Sequence, residues 1–412
     1  MRFGKLFKVS FCIISMLVGI VGRPNAGKST FFKAATLSDI LIANYPFATI
    51  KPNHGMGYVK IKDLAPEFGK ISNPREGFIK NGKDIKGEWR FVPFELMDVA
   101  GLVEGASQGK GLGNEFLNDL AGADAFIHLV DMSGESDGEG KPSENYYPGK
   151  DLELIEKELD LWYLGILKKV WKTFARNVEM QKQKFSEAVA KQFSGLKVKE
   201  EDVKSIVLRN KLDSEKPSSW SEEEVARFAR ELRRESKPMI IVANKMDRPN
   251  SVENLRKIKD EFDYPIVSCF AEGELALREA DKHGLIDYIP GENEFKVVGN
   301  LSERQKSALE DIKENLNKFG TTGVQEVMNE VVFNLLNMIA IFPAGGKMED
   351  SKGNVLPDCY LMKKGSTALD FAFRLHSDIG NGFVKAIDIK TKKAVGKDYK
   401  LKHRDGLEIM TK

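Results

Sequence analysis

The feature that most constrains this chain is the run Gly22-Arg23-Pro24-Asn25-Ala26-Gly27-Lys28-Ser29. It follows the apolar stretch Met16–Val21 and precedes a helical pattern over Ser29–Leu37. The spacing is G-x-x-x-x-G-K-[ST]. Its glycines let the backbone curl into a cradle whose N–H groups converge on phosphate oxygens beside a helix N-terminus. Lys28 supplies a point charge to the β- and γ-phosphates, and the Ser29 hydroxyl suits Mg²⁺. Asn25, Ala26, Gly27 and Thr30 complete the stretch expected to wrap a phosphate chain. The apolar run before the loop and the helix after it are the context the motif requires.

The rest of the chain reads as the core such a loop needs. Gly57–Ile61, Phe91–Met97, Ala125–Val130, Met239–Ala243 and Tyr264–Ser268 are further strand candidates, with helical patterns between most of them. That alternation predicts an α/β fold, a doubly wound and mostly parallel sheet whose functional groups collect at the carboxyl ends of its strands. Asp98-Val99-Ala100-Gly101 ends one run. Asp98 would hold Mg²⁺ through water, and the Gly101 amide would sense the γ-phosphate. Thr49, in Asn44-Tyr45-Pro46-Phe47-Ala48-Thr49, stands where a threonine completes the Mg²⁺ shell. Asn244-Lys245-Met246-Asp247 ends another run. A carboxylate at Asp247 accepts from guanine N1–H and the 2-amino group, whereas adenine would leave it unpaired at a cost. Asn244 can bridge to the phosphate loop, and the Lys245 stem can cover the base. Ser268 and Cys269 end the last run, where backbone amides would meet guanine O6.

Between Asp131 and Met239 the chain is too long for one crossover helix. Ser133–Gly149 reads as a loop, and Asp151–Phe193 and Glu200–Ser236 carry helical periodicity. An inserted helical hairpin is expected over residues 145–236. From Leu161 to Glu200 it holds nine Lys/Arg and three Glu, a local net of +6. Its Trp162, Trp171 and Phe174 fall at helical spacing and are expected in its core. The sheet domain is then 16–144 with 237–339, including a mostly helical segment Glu292–Asn337. Short strands resume at Ala340–Pro343, Pro357–Met362, Phe383–Ile389 and Leu407–Thr411, with one helix over Thr367–His376. Residues 340–412 therefore read as a small α+β domain with 14 Lys/Arg and nine Asp/Glu, a local net of +5. His128 sits in a buried run and reads as a satisfied core histidine.

Composition limits the class. With 63 Lys/Arg against 61 Asp/Glu the net charge is +2, which excludes a uniformly basic protein, and 42% hydrophobic residues exclude a disordered chain. Cys12, Cys269 and Cys359 build neither a disulfide framework nor a zinc cluster and fit a reducing compartment. Arg2, Lys5 and Lys8 precede the apolar run Val9–Val21. That run is too short to cross a bilayer, and cleaving it off would remove the strand that the phosphate loop needs. Met1 and Met16 both stand as starts, the second making residues 1–15 a misassigned extension. The expectation is a cytoplasmic protein with no membrane segment.

The order G-R-P-N-A-G-K-S, N-Y-P-F-A-T, D-V-A-G-L, N-K-M-D and V-S-C-F-A-E resembles the Obg-related GTPases, most closely the YchF/Obg-like subfamily of archaeal type. Ile341-Phe342-Pro343-Ala344-Gly345-Gly346 and Lys363-Lys364-Gly365-Ser366-Thr367-Ala368 resemble the family's C-terminal TGS domain, a β-grasp fold. The resemblance covers nearly everything from Met16 onward. It implies a GTPase that takes GTP with Mg²⁺ and returns GDP and phosphate, and that acts on the ribosome or RNA. Obg-like ATPases lack the acidic N-K-x-D signature and prefer ATP; this chain keeps Asp247, which favours GTP. Where many GTPases place a glutamine after D-x-x-G, this chain has Leu102, as in the hydrophobic-substituted Obg group, which implies slow hydrolysis. Ile40–Thr49 and Gly101–Gly113 are the implied switches. Asn25 occupies the place of the K⁺ ligand in potassium-dependent relatives, or it structures its own loop. Three other readings stand beside the first: a nucleotide-gated module whose insert recruits a protein, an ATP-preferring Obg-like ATPase, and a metabolite phosphotransferase, which N-K-x-D and D-x-x-G disfavour.

Overall fold

The computed structural model describes residues 16–36, 54–98, 104–105, 120–138 and 140–412. Thr49, Gly101, Leu102, the whole segment Ile40–Thr49 and most of Gly101–Gly113 lie outside the described residues. The central strand β1 (Leu17–Gly22) is apolar on both faces and buried from Val18 onward, as a strand covered by helices on both sides must be. Its parallel neighbours are β4 (Trp89–Asp98) and β5 (Ala125–Asp131), and β5 is followed outward by β6 (Met239–Asn244) and β7 (Ile266–Ser268). The edge strands β2 (His54–Lys62) and β3 (Phe78–Lys80) pair with β4 antiparallel. The seven-stranded sheet therefore runs β2-β4-β1-β5-β6-β7, with β3 joined to β4. All five parallel strands end on one side, which gathers Gly22, Asp98, Asp131, Asn244 and Ser268 along one rim. Helix α1 (Lys28–Thr36) leaves β1 through the phosphate loop and buries Phe31, Ala34 and Ala35.

The insert differs from a simple hairpin. Its first helix, α2 (Gly149–Met180), is 32 residues long. It is followed by α3 (Phe185–Gln192), α4 (Glu200–Arg209) and α5 (Glu222–Ser236). The three breaks contain Lys182, Lys197 and Lys211, which take left-handed φ of 49°, 61° and 53°. Helix α5 packs back along α2, and α4 packs against α3 and α5. Phe185, Trp220 and Phe228 close around Trp171, with Trp171–Trp220 ring centroids 5.3 Å apart. Trp162 is 6% exposed. These aromatics form the core of the insert, where dense packing makes their burial count most.

Helix α6 (Ser251–Glu261) precedes β7, and α7 (Ala271–Lys282) follows it. A hairpin that the periodicity does not reveal, β8 (Ile286–Tyr288) and β9 (Phe295–Val297), precedes α8 (Glu303–Phe319) and α9 (Val324–Asn329). From α9, Asn329 brackets the outer edge of β2 by accepting from Lys60 N and donating to Lys60 O, at 2.9 and 3.0 Å. This covers an edge that would otherwise present open ladder groups.

The C-terminal sheet has the order β11-β10-β14-β12-β13, from β10 (Met338–Pro343), β11 (Tyr360–Lys363), β12 (Phe383–Asp388), β13 (Ala394–Val395) and β14 (Asp405–Thr411). Helix α10 (Ala368–Leu375) lies on one face and is started by a Thr367/Asp370 capping box. The short α11 (Ser377–Asn381) follows it. Two arginines fasten this domain to the first sheet. Arg90 on β4, 1% exposed, donates to the Leu356 and Pro357 carbonyls at 2.6 and 2.8 Å. Arg404 donates to the Lys62 and Asp63 carbonyls and pairs with Glu67.

Removing Arg90 takes the donor from the buried Leu356 carbonyl, leaves the Pro357 carbonyl only the Arg75 amide, and leaves the Asp63 carboxylate, 3.7 Å away, without its cation. Arg90→Ala should cost about 2–4 kcal/mol of stability. Urea unfolding of the full chain measures this, and a loss below about 1 kcal/mol would show that the fastening is incidental.

Candidate nucleotide site

The phosphate loop is shaped by what surrounds it. Gly22 has φ 151°, and a Cβ there would lie 2.5 Å from the Leu129 carbonyl oxygen of β5. Gly27 has φ 92°, and a Cβ there would lie 2.3 Å from Asn244 Nδ2. Only glycine fits at either position. Asn244, 3% exposed at the end of β6, uses the space that Gly27 leaves. Its Nδ2 donates to the Ala26 carbonyl at 2.9 Å, and its Oδ1 accepts from the Ala271 amide at 3.2 Å. One carboxamide thus ties the phosphate loop to the first turn of α7.

Lys28 lies beneath the loop, 8% exposed, and donates to the Arg23 carbonyl at 2.7 Å. Burial pushes its pKa down to about 8, with Asp98 pulling the other way. The Ser29 hydroxyl donates to Asp98 Oδ2 at 3.1 Å. Two hard oxygen groups from separate motifs therefore converge beside Lys28, the donor chemistry that Mg²⁺ takes.

A cleft beside the loop is lined by Gly27, Thr30, Asn244, Lys245, Asp247, Arg248, Ala271 and Glu272. Five of these are residues the sequence singled out; Arg248, Ala271 and Glu272 are not. Arg248 Nε lies 3.8 Å from Asp247 Oδ2, at the mouth of the cleft. The structure does not bring Cys269 into it. The Cys269 amide donates to the Ala243 carbonyl at 2.7 Å, its carbonyl accepts from Met246, and its thiol is fully buried. Burial raises that thiol pKa well above the ordinary value, which keeps it protonated and unreactive. Ser268 remains at the end of β7. Ala271 and Glu272, in the first turn of α7, line the cleft instead.

The segment after β5 grips this site from the side. Asp131, 5% exposed, pairs with Lys245 at 2.7 Å. Asn25 Nδ2 donates to the Gly140 carbonyl at 2.9 Å. Asn25 therefore fastens a neighbouring segment rather than only its own loop. Arg23 Nε lies 2.8 Å from Asp151 Oδ1, with both side chains largely buried, and Tyr146 donates to the same carboxylate oxygen at 2.7 Å. His128, directly behind the loop on β5, is buried as expected but is not satisfied. Among the described residues neither ring nitrogen has a hydrogen-bond partner. Burial, reinforced by Lys28, lowers its pKa to about 3, so the ring is neutral.

Comparison with known proteins adds three family matches. Residues 17–163 match the 50S ribosome-binding GTPase family, 242–345 the Obg-like GTPase YGR210-like, G4 motif-containing domain, and 339–411 the TGS domain. The chain is 45% identical over 400 residues to an uncharacterized GTP-binding protein of Methanocaldococcus jannaschii, covering 96% of this chain and 99% of that one. It is 30% identical over 386 residues to the ribosome-binding ATPase YchF of Bacillus subtilis, covering 90% and 88%. The crystal structure of a GTP-binding protein from Pyrococcus horikoshii superimposes with a TM-score of 0.76 at 38% identity, covering 96% and 100%.

The state of Lys28 makes binding pH-dependent with a defined sign. Its pKa of about 8 in the protein alone rises when a polyphosphate lies against it. At about pH 9 the amine is mostly neutral before binding and charged after it, so binding takes up close to one proton. At about pH 7 it is charged in both states and contributes none. Calorimetric titration with GDP in two buffers of different protonation enthalpy measures the uptake. Equal uptake at both pH values would overturn the assignment of Lys28 to the phosphates.

Proposed function

This chain belongs to the YchF/Obg-like family of P-loop GTPases, hydrolases of nucleoside triphosphates, and from that premise we propose that it prefers GTP to ATP. It uses Mg²⁺, turns GTP over slowly to GDP and phosphate, and switches its contacts with RNA or the ribosome as it does so. In this reading residues 16–144 and 237–339 form the switch-bearing domain, 145–236 the insert and 340–412 the TGS domain.

The observation that carries the base preference is the cleft in which Asp247 stands beside the Asn244 bridge. Asn244 fixes the distance between the phosphate loop and the base site. Asp247 presents a carboxylate that guanine satisfies with two donors and adenine does not. Of the two α7 residues that line the cleft, Ala271 has its amide committed to Asn244, which leaves the Glu272 amide for the guanine O6. Ser29 and Asp98, with Thr49, would hold Mg²⁺, which would supply positive charge at the phosphates. Lys28 adds charge at the β- and γ-phosphates. Leu102, after Gly101, offers no hydrogen bond to an attacking water, which supports slow turnover. Should K⁺ take part, Asn25 would meet it through its carboxamide oxygen, since the nitrogen is bonded to Gly140.

Lys169, Lys172 and Arg176 are exposed at helical spacing along α2 and support contact with a phosphate backbone. The basic run Lys390, Lys392, Lys393, Lys397, Lys400, Lys402 and Arg404 near the C-terminus supports it less than its count suggests. Lys390 pairs with Glu67, Lys392 lies over the Phe68 ring, and Arg404 is bonded to the first sheet. A second reading, in which the insert recruits a protein, has its own observation: Met180 and Leu208 on the insert are each 81% exposed. Among the described residues no helix is long and apolar enough to cross a membrane. We place the protein in the cytoplasm.

Equilibrium binding of GTP and ATP with Mg²⁺, on the wild type and Asp247→Glu, tests the base reading. GTP should bind on the order of 100-fold or more tighter, and Asp247→Glu should erode that gap. Equal or tighter ATP binding would overturn it. For the output, co-sedimentation with ribosomes should be GTP-dependent and fall with rising salt, and Lys169→Glu with Arg176→Glu should weaken it. Binding indifferent to both charge reversals would favour the protein-recruiting reading.

A further inference from the structure

We propose that Asp131 is a positioning residue for the bound base, holding the Lys245 side chain across the cleft through an ion pair. The proposal rests on the reading of Asn244–Asp247 as the base site. Asp131 carries no recognised motif, yet it ends β5 directly beside Asn244, its register partner on β6.

The carboxylate is 5% exposed, and burying it is costly unless its oxygens are paired. Here each oxygen has two donors. Oδ1 accepts from the Ser133 amide at 3.0 Å and its hydroxyl at 2.6 Å. Oδ2 accepts from the Ser136 hydroxyl at 3.0 Å and Lys245 Nζ at 2.7 Å. Burial pushes this carboxyl upward, but the bonds from Lys245 and Ser133 outweigh it and hold it below the ordinary range. Three of the four donors lie on its own turn. The fourth is the only one that crosses to the base motif.

Lys245 has a left-handed φ of 60°, unusual for a residue with a long side chain, and it lines the same cleft as Asp247. An unanchored lysine samples many rotamers. With its ammonium fixed on Asp131, the methylene stem is confined to one path along the cleft, where it can cover a base. Asp131 reaches the nucleotide only through Lys245. The turn that carries it is tied to β6 by Met132 N to the Asn244 carbonyl at 3.0 Å, and to α6 by Asn254 Nδ2 to the Met132 carbonyl at 2.9 Å. The anchor therefore belongs to the rigid rim of the sheet.

A bond that only stapled β5 to β6 would affect unfolding and leave ligand affinity alone. The test uses the full chain with Asp131→Asn, Lys245→Met and the double variant. Affinity for GDP, KM and kcat for GTP, and the nucleotide-free unfolding midpoint are read together. Lys245→Met keeps the covering stem and removes only its anchor, so it reports on the anchor even should Asp131→Asn fold poorly. Each single variant should weaken GDP about ten-fold and raise KM by a similar factor, with kcat within two-fold. The double variant should be no weaker than Lys245→Met. Wild-type affinity in Lys245→Met, or effects that multiply in the double variant, would overturn the proposal. The cycle is run with whichever nucleotide the wild type binds more tightly. A preference for ATP would thus overturn the reading of Asp247 while leaving this test decisive.

Discussion

The carboxamide of Asn244 holds the two halves of the nucleotide site at a fixed separation. The phosphate loop comes from β1 and the first turn of α7 from beyond β6, and among the described residues no backbone bond joins them directly. Asn244 joins them, with its nitrogen on Ala26 and its oxygen on Ala271. Both bonds are buried, where a lost partner costs the full desolvation of the group left behind. Aspartate has the same shape but no donor for Ala26, and glutamine is too long for a space that already excludes a Cβ at Gly27. The second glycine of the phosphate motif is thus required twice, once by its φ and once by its neighbour.

Much of this was legible in the sequence because the motifs are local and sit at strand ends. Lys28, Ser29, Asp98, Asn244 and Asp247 each follow an apolar run, and a parallel sheet delivers such residues to one rim whatever the detail of the helices. What stayed hidden depends on bonds between distant segments. Cys269 looked like part of the base site because β7 ends there, but its amide completes the ladder with Ala243. The residues that line the cleft lie in the next turn, two residues on, a step that no periodicity encodes. The break after Met180 was equally silent, since Gln181–Lys184 contains neither glycine nor proline and the reversal rests on a lysine in a left-handed conformation, whereas the break between Phe193 and Glu200 was expected. His128 could be placed in the core from its apolar neighbours, but whether its nitrogens find partners is a property of packing alone.

Charge shows the same limit. The C-terminal domain carries a local excess of cations, and a count along the chain treats them as one basic surface. In the structure several of them face inward. Arg404 meets Glu67, 337 residues earlier, and Lys390 reaches the same carboxylate. These cations are committed to holding the two sheets together. Lys169, Lys172 and Arg176 on α2 instead project from the outer face of one helix. Surface charge available to a polyanion is a statement about what remains after internal pairing, and in the insert Lys168, Lys184 and Lys197 are likewise paired with acidic groups.

Asp131 and Asp151 begin and end one segment, and each finds its cation in a nucleotide motif: Lys245 in the base motif and Arg23 in the phosphate loop. Their environments differ. Asp131 has four donors, and these overcome burial. For Asp151, burial dominates over Tyr146 and Arg23 and raises the carboxyl pKa. Either way, removing one partner strands a buried charge, which is far more costly than losing an exposed pair. The segment and the motifs must therefore fold as a unit. Asp151 also lies in the first turn of α2, the longest helix among the described residues. The insert is thus joined to the phosphate loop by a largely buried ion pair at its root, in addition to its loop connections. Displacing Arg23 would uncover a carboxylate that the helix cannot solvate by itself, and this gives the geometry of the phosphate loop a direct energetic hold on the base of the insert.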